Sequence, residues 1–343
     1  MNDRLNRYSR QILFVPIGSA GQQRLGDSRV AIVGCGALGS VLAEMLVRSG
    51  IGYLTLIDRD LLDWSNLHRQ SLYGEEDVQK KLPKAAAAAA HLRALNSDVH
   101  VEGIVADVQP DNILKLVSHH QVILDGTDNF DTRFLVNEAA IQLGIPWIYG
   151  ACVASCGMSA TFLTGGRPCF RCLMQDMDLQ AGFPTCDTAG IIAPVVHWVA
   201  SVQASEVIKL LLGLKNQLHG SLLVWDAWSY AFQRIRWSPS CASGCEVCRG
   251  RRFPLLDESA GTTATLLCGR NAVLIRVPGR LQIDLEELEQ RLSPVGCVTR
   301  NEYLLQAEIE GLEMVIFSDG RGMIKGTSDL TLARSLYARF VGH

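Results

Sequence analysis

The 343-residue sequence predicts an α/β chain: a Rossmann-like, doubly wound, mostly parallel sheet with a structural zinc site, followed by a small C-terminal α+β extension. Three observations predict it. Apolar runs alternate with helical periodicity through the first 150 residues, the pattern of β-α units feeding a parallel sheet. Residues 30–50, VAIVGCGALGSVLAEMLVRSG, read as a buried strand turning through Gly34-x-Gly36-x-x-Gly39 into a helix. Two C-x-x-C pairs, Cys169 with Cys172 and Cys245 with Cys248, have the spacing of a tetrahedral four-cysteine knuckle.

In chain order, strands are expected near 30–33, 53–57, 99–105, 122–124 and 146–149, with helices between them. The run LPKAAAAAAHLRALN is read as a helix, because Ala is the best helix former and small side chains pack closely on a sheet. From Ser159 the pattern changes to shorter strands and a loop rich in Pro, Gly and Cys. A long helix after Gly190 and strands at 222–225 and 232–235 follow, and the cysteine turn CASGCEVC closes this part. The expected domains are 1–250, a linker at 251–261, and a tail at 262–343 of roughly 80 residues, near the lower limit for a self-standing unit. In the tail, NAVLIRV, EYLLQAEI and EMVIFSD read as strands and LTLARSLYARF as a helix.

Composition excludes several classes. With 48% hydrophobic and 20% charged residues the chain reads as a globular enzyme, and its net charge of −3 gives no electrostatic footprint for nucleic acid. The longest apolar stretch is interrupted by His197, Gln203, Glu206 and Lys209, which suits a core helix and not a membrane span. A polar N-terminus without an apolar h-region argues for a cytosolic protein. In that compartment the 11 cysteines are expected to bind metal or do thiol chemistry instead of forming a disulfide framework.

The glycine turn sets backbone N–H groups and a helix N-terminus against an anion, and Asp58 ends the second strand where a carboxylate accepts hydrogen bonds from ribose hydroxyls. These residues fit NAD as well as they fit ATP. Beyond Asp58, the run DRDLLDWSNLHRQ and the following LPK bring Asn66, Arg69, Gln70 and Lys84, and two cations there suit a triphosphate. A solvated charged loop fits the same run. Asp125 and Asp128, in ILDGTDNFDTR, come at the carboxyl edge of the sheet; Asp128 suits a magnesium ligand and equally an N-cap. The two C-x-x-C pairs are expected to form a closed, structural zinc site, the alternative being isolated thiols, with Cys241 a possible but unneeded fifth candidate. Cys186 precedes a helix N-terminus, a position that favours the thiolate, although a lone cysteine is more often inert. Cys35, Cys152, Cys156, Cys268 and Cys297 read as core or passive residues.

Taken in order, RYSRQILF, GCGALGS, DRDLLDWSNLHRQ, LPKAAAA, DGTDN, CFRC, CDTAG and GCEVC resemble the motifs of the ThiF/MoeB adenylyltransferases, bacterial relatives of the ubiquitin-activating enzymes, over about residues 4 to 250. The resemblance implies a homodimer that uses ATP to adenylylate the C-terminal Gly-Gly carboxylate of a ubiquitin-like sulfur carrier protein, ThiS or MoaD. It implies that Asp58 binds the ribose, that Asn66, Arg69 and Lys84 hold the phosphates, and that Asp128 carries Mg2+. Arg10 matches an arginine that reaches the neighbouring protomer's ATP, and Cys186 a cysteine that forms a sulfur-linked intermediate in ThiF-type members. No rhodanese pattern is present, so sulfur is expected from a separate donor protein. The tail resembles the extension of Bacillus-type ThiF proteins, which favours thiamine thiazole biosynthesis over molybdopterin. An NAD-dependent oxidoreductase and a zinc-stapled binding module without catalysis are the competing readings.

Overall fold

A computed structural model describes residues 6–165, 168–174, 186–237, 244–257, 263–267, 271–276 and 282–342. It divides into two compact units, Met1–Glu258 and Ser259–His343.

The first unit is built on an eight-stranded sheet of order β3-β2-β1-β4-β5-β6-β7-β8. The strands are β1 (Arg29–Val33), β2 (Tyr53–Asp58), β3 (His100–Val105), β4 (Val122–Asp125), β5 (Trp147–Val153), β6 (Cys156–Phe162), β7 (Leu222–Asp226) and β8 (Ala231–Ile235). From β3 through β5 the pairing is parallel; β6, β7 and β8 add antiparallel. Alternate residues of β1 serve opposite faces: Val30 and Ile32 join the core under helices Ala37–Arg48, Lys84–Leu95 and Ala193–Leu211, whereas Ala31 and Val33 join the core under Ile113–Val117 and Phe130–Leu143. Burial on both faces is why these strands read as continuous apolar runs.

The alanine run is the helix Lys84–Leu95, with Ala85, Ala87, Ala88 and Ala89 buried. Its small side chains let it lie on β3 so closely that a Cβ on Gly103 would stand 2.3 Å from the Ala85 carbonyl oxygen. In Ala193–Leu211 the buried Glu206 accepts hydrogen bonds from Thr161 Oγ1 (3.0 Å) and Lys209 Nζ (2.8 Å), the partners a core helix needs for a charged side chain. Among the described residues no helix is long and apolar enough to cross a membrane. Leu255 and Leu256, expected in a linker, pack against the first unit, where Glu138 Oε2 accepts both of their backbone N–H groups.

The second unit is a six-stranded antiparallel sheet of order β11-β12-β13-β14-β10-β9, built from Thr263–Leu267 (β9), Ala272–Arg276 (β10), Cys297–Arg300 (β11), Leu304–Ile309 (β12), Leu312–Phe317 (β13) and Gly322–Lys325 (β14). Helices Leu285–Leu292 and Leu330–Phe340 supply its hydrophobic core with Leu285, Leu288, Leu292, Ala333 and Leu336. The first of these helices was not among the sequence expectations. Its signals are local: Asp284 caps the N–H groups of Glu286 and Glu287, and leucines recur at helical spacing.

Candidate functional site: a nucleotide crevice and a cysteine cluster

Strand order reverses between β1 and β4, and in open α/β sheets ligands bind outside the carboxyl ends of strands at such a point. The glycine turn stands there. Gly34 has φ +93, and a Cβ on it would meet the Gly126 carbonyl carbon at 2.6 Å; one on Gly39 would meet Gly34 O at 1.9 Å. These two glycines are demanded by the protein's own backbone. Gly36 is not: its φ is −73, and a Cβ there would meet nothing closer than Gln70 Nε2 at 3.8 Å. Gly36 is also the uncapped N-cap of Ala37–Arg48, so the room beside it opens onto free helix N–H groups, a cradle for a phosphate.

Asp58 ends β2 and ties it to this turn. Its Oδ2 accepts the Cys35 N–H and its Oδ1 the Asp60 N–H, each at 2.6 Å, and each oxygen keeps a lone pair for a ribose hydroxyl. Burial pushes the Asp58 carboxyl up, opposed by the Lys84 cation. Lys84 opens its helix just after Pro83 and is 4% exposed, with Nζ 2.9 Å from Asp60 Oδ2. Tyr73 Oη donates to the carbonyls of Cys35 and Lys84, which joins the glycine turn to the lysine. The structure therefore brings Asp58, Lys84 and the glycine turn into one network and adds Asp60, which sequence reasoning missed. Asp60 lies two residues beyond the ribose-type aspartate, and that short spacing was the available signal.

Asn66 is buried, and its Oδ1 closes a capping box with the Asp63 N–H at 3.1 Å, so the end left to face an anion is Nδ2. Arg69 is half-buried, with Nη1 on the Ser65 carbonyl at 2.8 Å. Gln70 is buried beside Gly36, and among the described residues its Oε1 has no hydrogen-bond partner. Arg59, a cation that sequence reasoning missed, is held by Asp107 at 2.9 Å just beyond the ends of β2 and β3. Arg10 is exposed on Ser9–Ile12, and among the described residues no hydrogen bond or ion pair joins it to this network.

The β4 end separates the two aspartates expected there. Asp125 is buried and structural: Oδ1 accepts the Thr127 N–H and Oγ1, and Oδ2 accepts Arg133 Nε at 3.1 Å. Asp128 is exposed, and the cap of Phe130–Leu143 is Asn129, whose side chain accepts the Thr132 N–H. That leaves the Asp128 carboxylate without the capping role considered for it.

The cysteines converge as their spacing predicts. Cys169, Cys172, Cys245 and Cys248 place their sulfurs within 4.8 Å of one another, with Sγ–Sγ distances of 3.7 Å (169–172), 3.9 Å (169–245) and 3.6 Å (172–248). A tetrahedral ion with metal–sulfur bonds of about 2.3 Å needs sulfur–sulfur edges of about 3.8 Å. The four thiols fit such an ion. The Cys172 thiol holds Cys169 down at about 5, and Cys172 is pushed up in turn. Val247, fully buried, with Ile141 and Phe253, closes the cluster. Cys186 opens a one-turn helix, Cys186–Ala189, but its side chain, like Cys241 and Cys268, lies outside the described residues. Cys35 and Cys152 are core residues; Cys297, expected to be core or passive, is exposed on β11.

Over 98% of this chain and 99% of the other, the protein is 45% identical to the Bacillus subtilis "Sulfur carrier protein ThiS adenylyltransferase". It is 38% identical to the Thermus thermophilus "Sulfur carrier protein adenylyltransferase", over 70% of this chain and 90% of that one. The fold is that of a crystal structure of E. coli MccB with ATP, at a TM-score of 0.60 and 24% identity, covering 71% of this chain and 74% of that one. The ThiF family matches residues 8–247, the part that carries the glycine turn, the Asp58–Lys84 network and three of the four clustered cysteines, and the chain belongs to that family.

Proposed function

We propose that this protein is a nucleotidyltransferase that joins AMP from ATP to the C-terminal Gly-Gly carboxylate of a ubiquitin-like sulfur carrier protein, with ThiS the favoured carrier. One observation carries the reading: the glycine turn and the linked Asp58, Asp60 and Lys84 stand at the switch point of a chain that aligns over 98% of its length with a ThiS adenylyltransferase. A nicotinamide enzyme has no task for the buried Lys84 or for Arg69. A triphosphate does, because the charge that leaves as pyrophosphate must be dispersed.

In this reading the Gly36 cradle holds a phosphate, Asp58 the ribose, and Asn66, Arg69, Gln70 and Lys84 the polyphosphate. The ammonium of Lys84 cannot wander, because burial and Asp60 hold it. The carrier's terminal carboxylate is ionised at neutral pH and attacks the α-phosphorus in line, so the chain needs no general base. Mg2+ at the exposed Asp128 would neutralise polyphosphate charge. Arg10 of a second protomer completes the site in a homodimer. The four cysteines hold a structural Zn2+. A separate protein delivers sulfur to the acyl adenylate, with Cys186 the candidate thiol on that route.

Mass spectrometry of purified ThiS and MoaD, each incubated with this protein and Mg-ATP, is expected to show an AMP adduct on ThiS. An adduct on MoaD alone would reassign the carrier, and adducts on neither, with stabilisation by NAD and not by Mg-ATP, would overturn the reading. Asp128→Ala is expected to lower carrier-dependent ATP–pyrophosphate exchange by at least about a hundredfold, the scale of losing one electrostatic group at the reacting phosphates.

A further inference from the structure

The network beneath Asp128 is unlike a routine helix start. Thr127, immediately before it, has every polar atom fixed: its N–H and hydroxyl on Asp125 Oδ1 at 2.9 and 2.6 Å, its carbonyl on Arg133 Nη2 at 2.6 Å. Asn129, immediately after it, is fixed as the N-cap on the Thr132 N–H at 2.9 Å and donates to Asp128 Oδ1 at 3.3 Å. The same Arg133 Nη2 reaches the Gly150 carbonyl of β5 at 3.2 Å, and Nε reaches Asp125 Oδ2 at 3.1 Å. One buried guanidinium, lying over the Tyr149 and Phe130 rings at 5.3 and 5.6 Å, thus braces the end of β4, the middle of β5 and the loop between β4 and its helix. Gly126, within that loop, has no room for a side chain, since a Cβ would stand 2.4 Å from Gly34 O. The loop is therefore keyed to the glycine turn as well.

We propose that Arg133 is the positioning residue of the nucleotide site: by pinning the residue before Asp128 it holds that carboxylate where the metal-bearing polyphosphate needs it. The three acceptors are met by two nitrogens of one rigid group, Nε on Asp125 and Nη2 on Thr127 and Gly150, so the task needs the planar fork of arginine; a lysine keeps the charge and loses the geometry. The inference rests on the adenylyltransferase reading.

The test uses the full-length protein. Arg133→Lys is measured beside Asp125→Asn/Arg133→Gln, a double variant that leaves no buried charge unpaired if the single one fails to fold. ATP binding is titrated by calorimetry with Mg2+ and with EDTA, and exchange kinetics are taken per folded molecule. The expected result is metal-free ATP affinity within twofold of wild type, with the Mg2+-dependent gain in affinity and kcat each reduced at least tenfold. A variant that melts lower yet keeps both the Mg2+ gain and kcat would show a role in folding alone and overturn the inference. Wild-type protein without Mg2+-dependent ATP binding would remove the underlying reading and this inference with it.

Discussion

Gly36 and Gly39 stand in the same turn and answer to different neighbours. A methyl at Gly39 would collide with the backbone oxygen of Gly34, so Gly39→Ala is expected to destabilise the fold by about 3 kcal/mol or more. At Gly36 the protein leaves ordinary contact space, so Gly36→Ala is expected to melt close to wild type while weakening ATP binding about tenfold or more. Thermal unfolding with and without ATP separates the two; equal melting points for both variants would contradict the assignment. At this scale the sequence was legible where one residue type has one backbone reason to be present, as with Gly34, or a motif position, as with Asp58. It was silent on Arg133, because a buried charge is defined by the partner it meets, and that partner is not marked as such in the linear order.

The helix Phe130–Leu143 is the element that joins the two candidate centres. Its first turn carries Arg133; farther along, Asn137 Oδ1 accepts the Phe170 N–H at 3.0 Å, Glu138 takes Arg171 and the Leu255–Leu256 N–H groups, and Ile141 packs on the cysteine cluster. The cluster closes residues about 76 apart in sequence, so an ion held there fixes a long loop. Cys248→Ser is expected to lose bound zinc, measured by elemental analysis, and to cost at least about 3 kcal/mol of stability. Metal-free protein with wild-type stability would rule out a structural staple. The cysteine spacing was readable because C-x-x-C places two sulfurs on one tight turn whatever surrounds them. The helix Leu285–Leu292 was equally readable from its cap and its leucines, and was missed because a short element between strands is easily taken for a loop.

The molecule as a whole has a hydrophobic core for each unit. The proposed reach of Arg10 into a partner's site makes a prediction at this level. Arg10→Ala and Asp128→Ala homodimers are each expected to be inactive, whereas an equimolar mixture re-equilibrated to form heterodimers should recover about one quarter of wild-type exchange, since half the dimers then hold one intact site. A mixture as inactive as its parents would place Arg10 in its own protomer's site or outside both.

The sequence by itself determined the layered α/β class, the glycine turn, the ribose-type aspartate and the paired cysteines, because each rests on local backbone geometry or on a periodicity that survives in one dimension. Only the tertiary structure decided which of two neighbouring aspartates is buried and which is exposed, that Lys84 is caged by Asp60, and that Arg133 joins β4, β5 and the loop after β4. Those roles depend on burial and on partners that the sheet order brings side by side, and charge burial is a property of the folded surroundings.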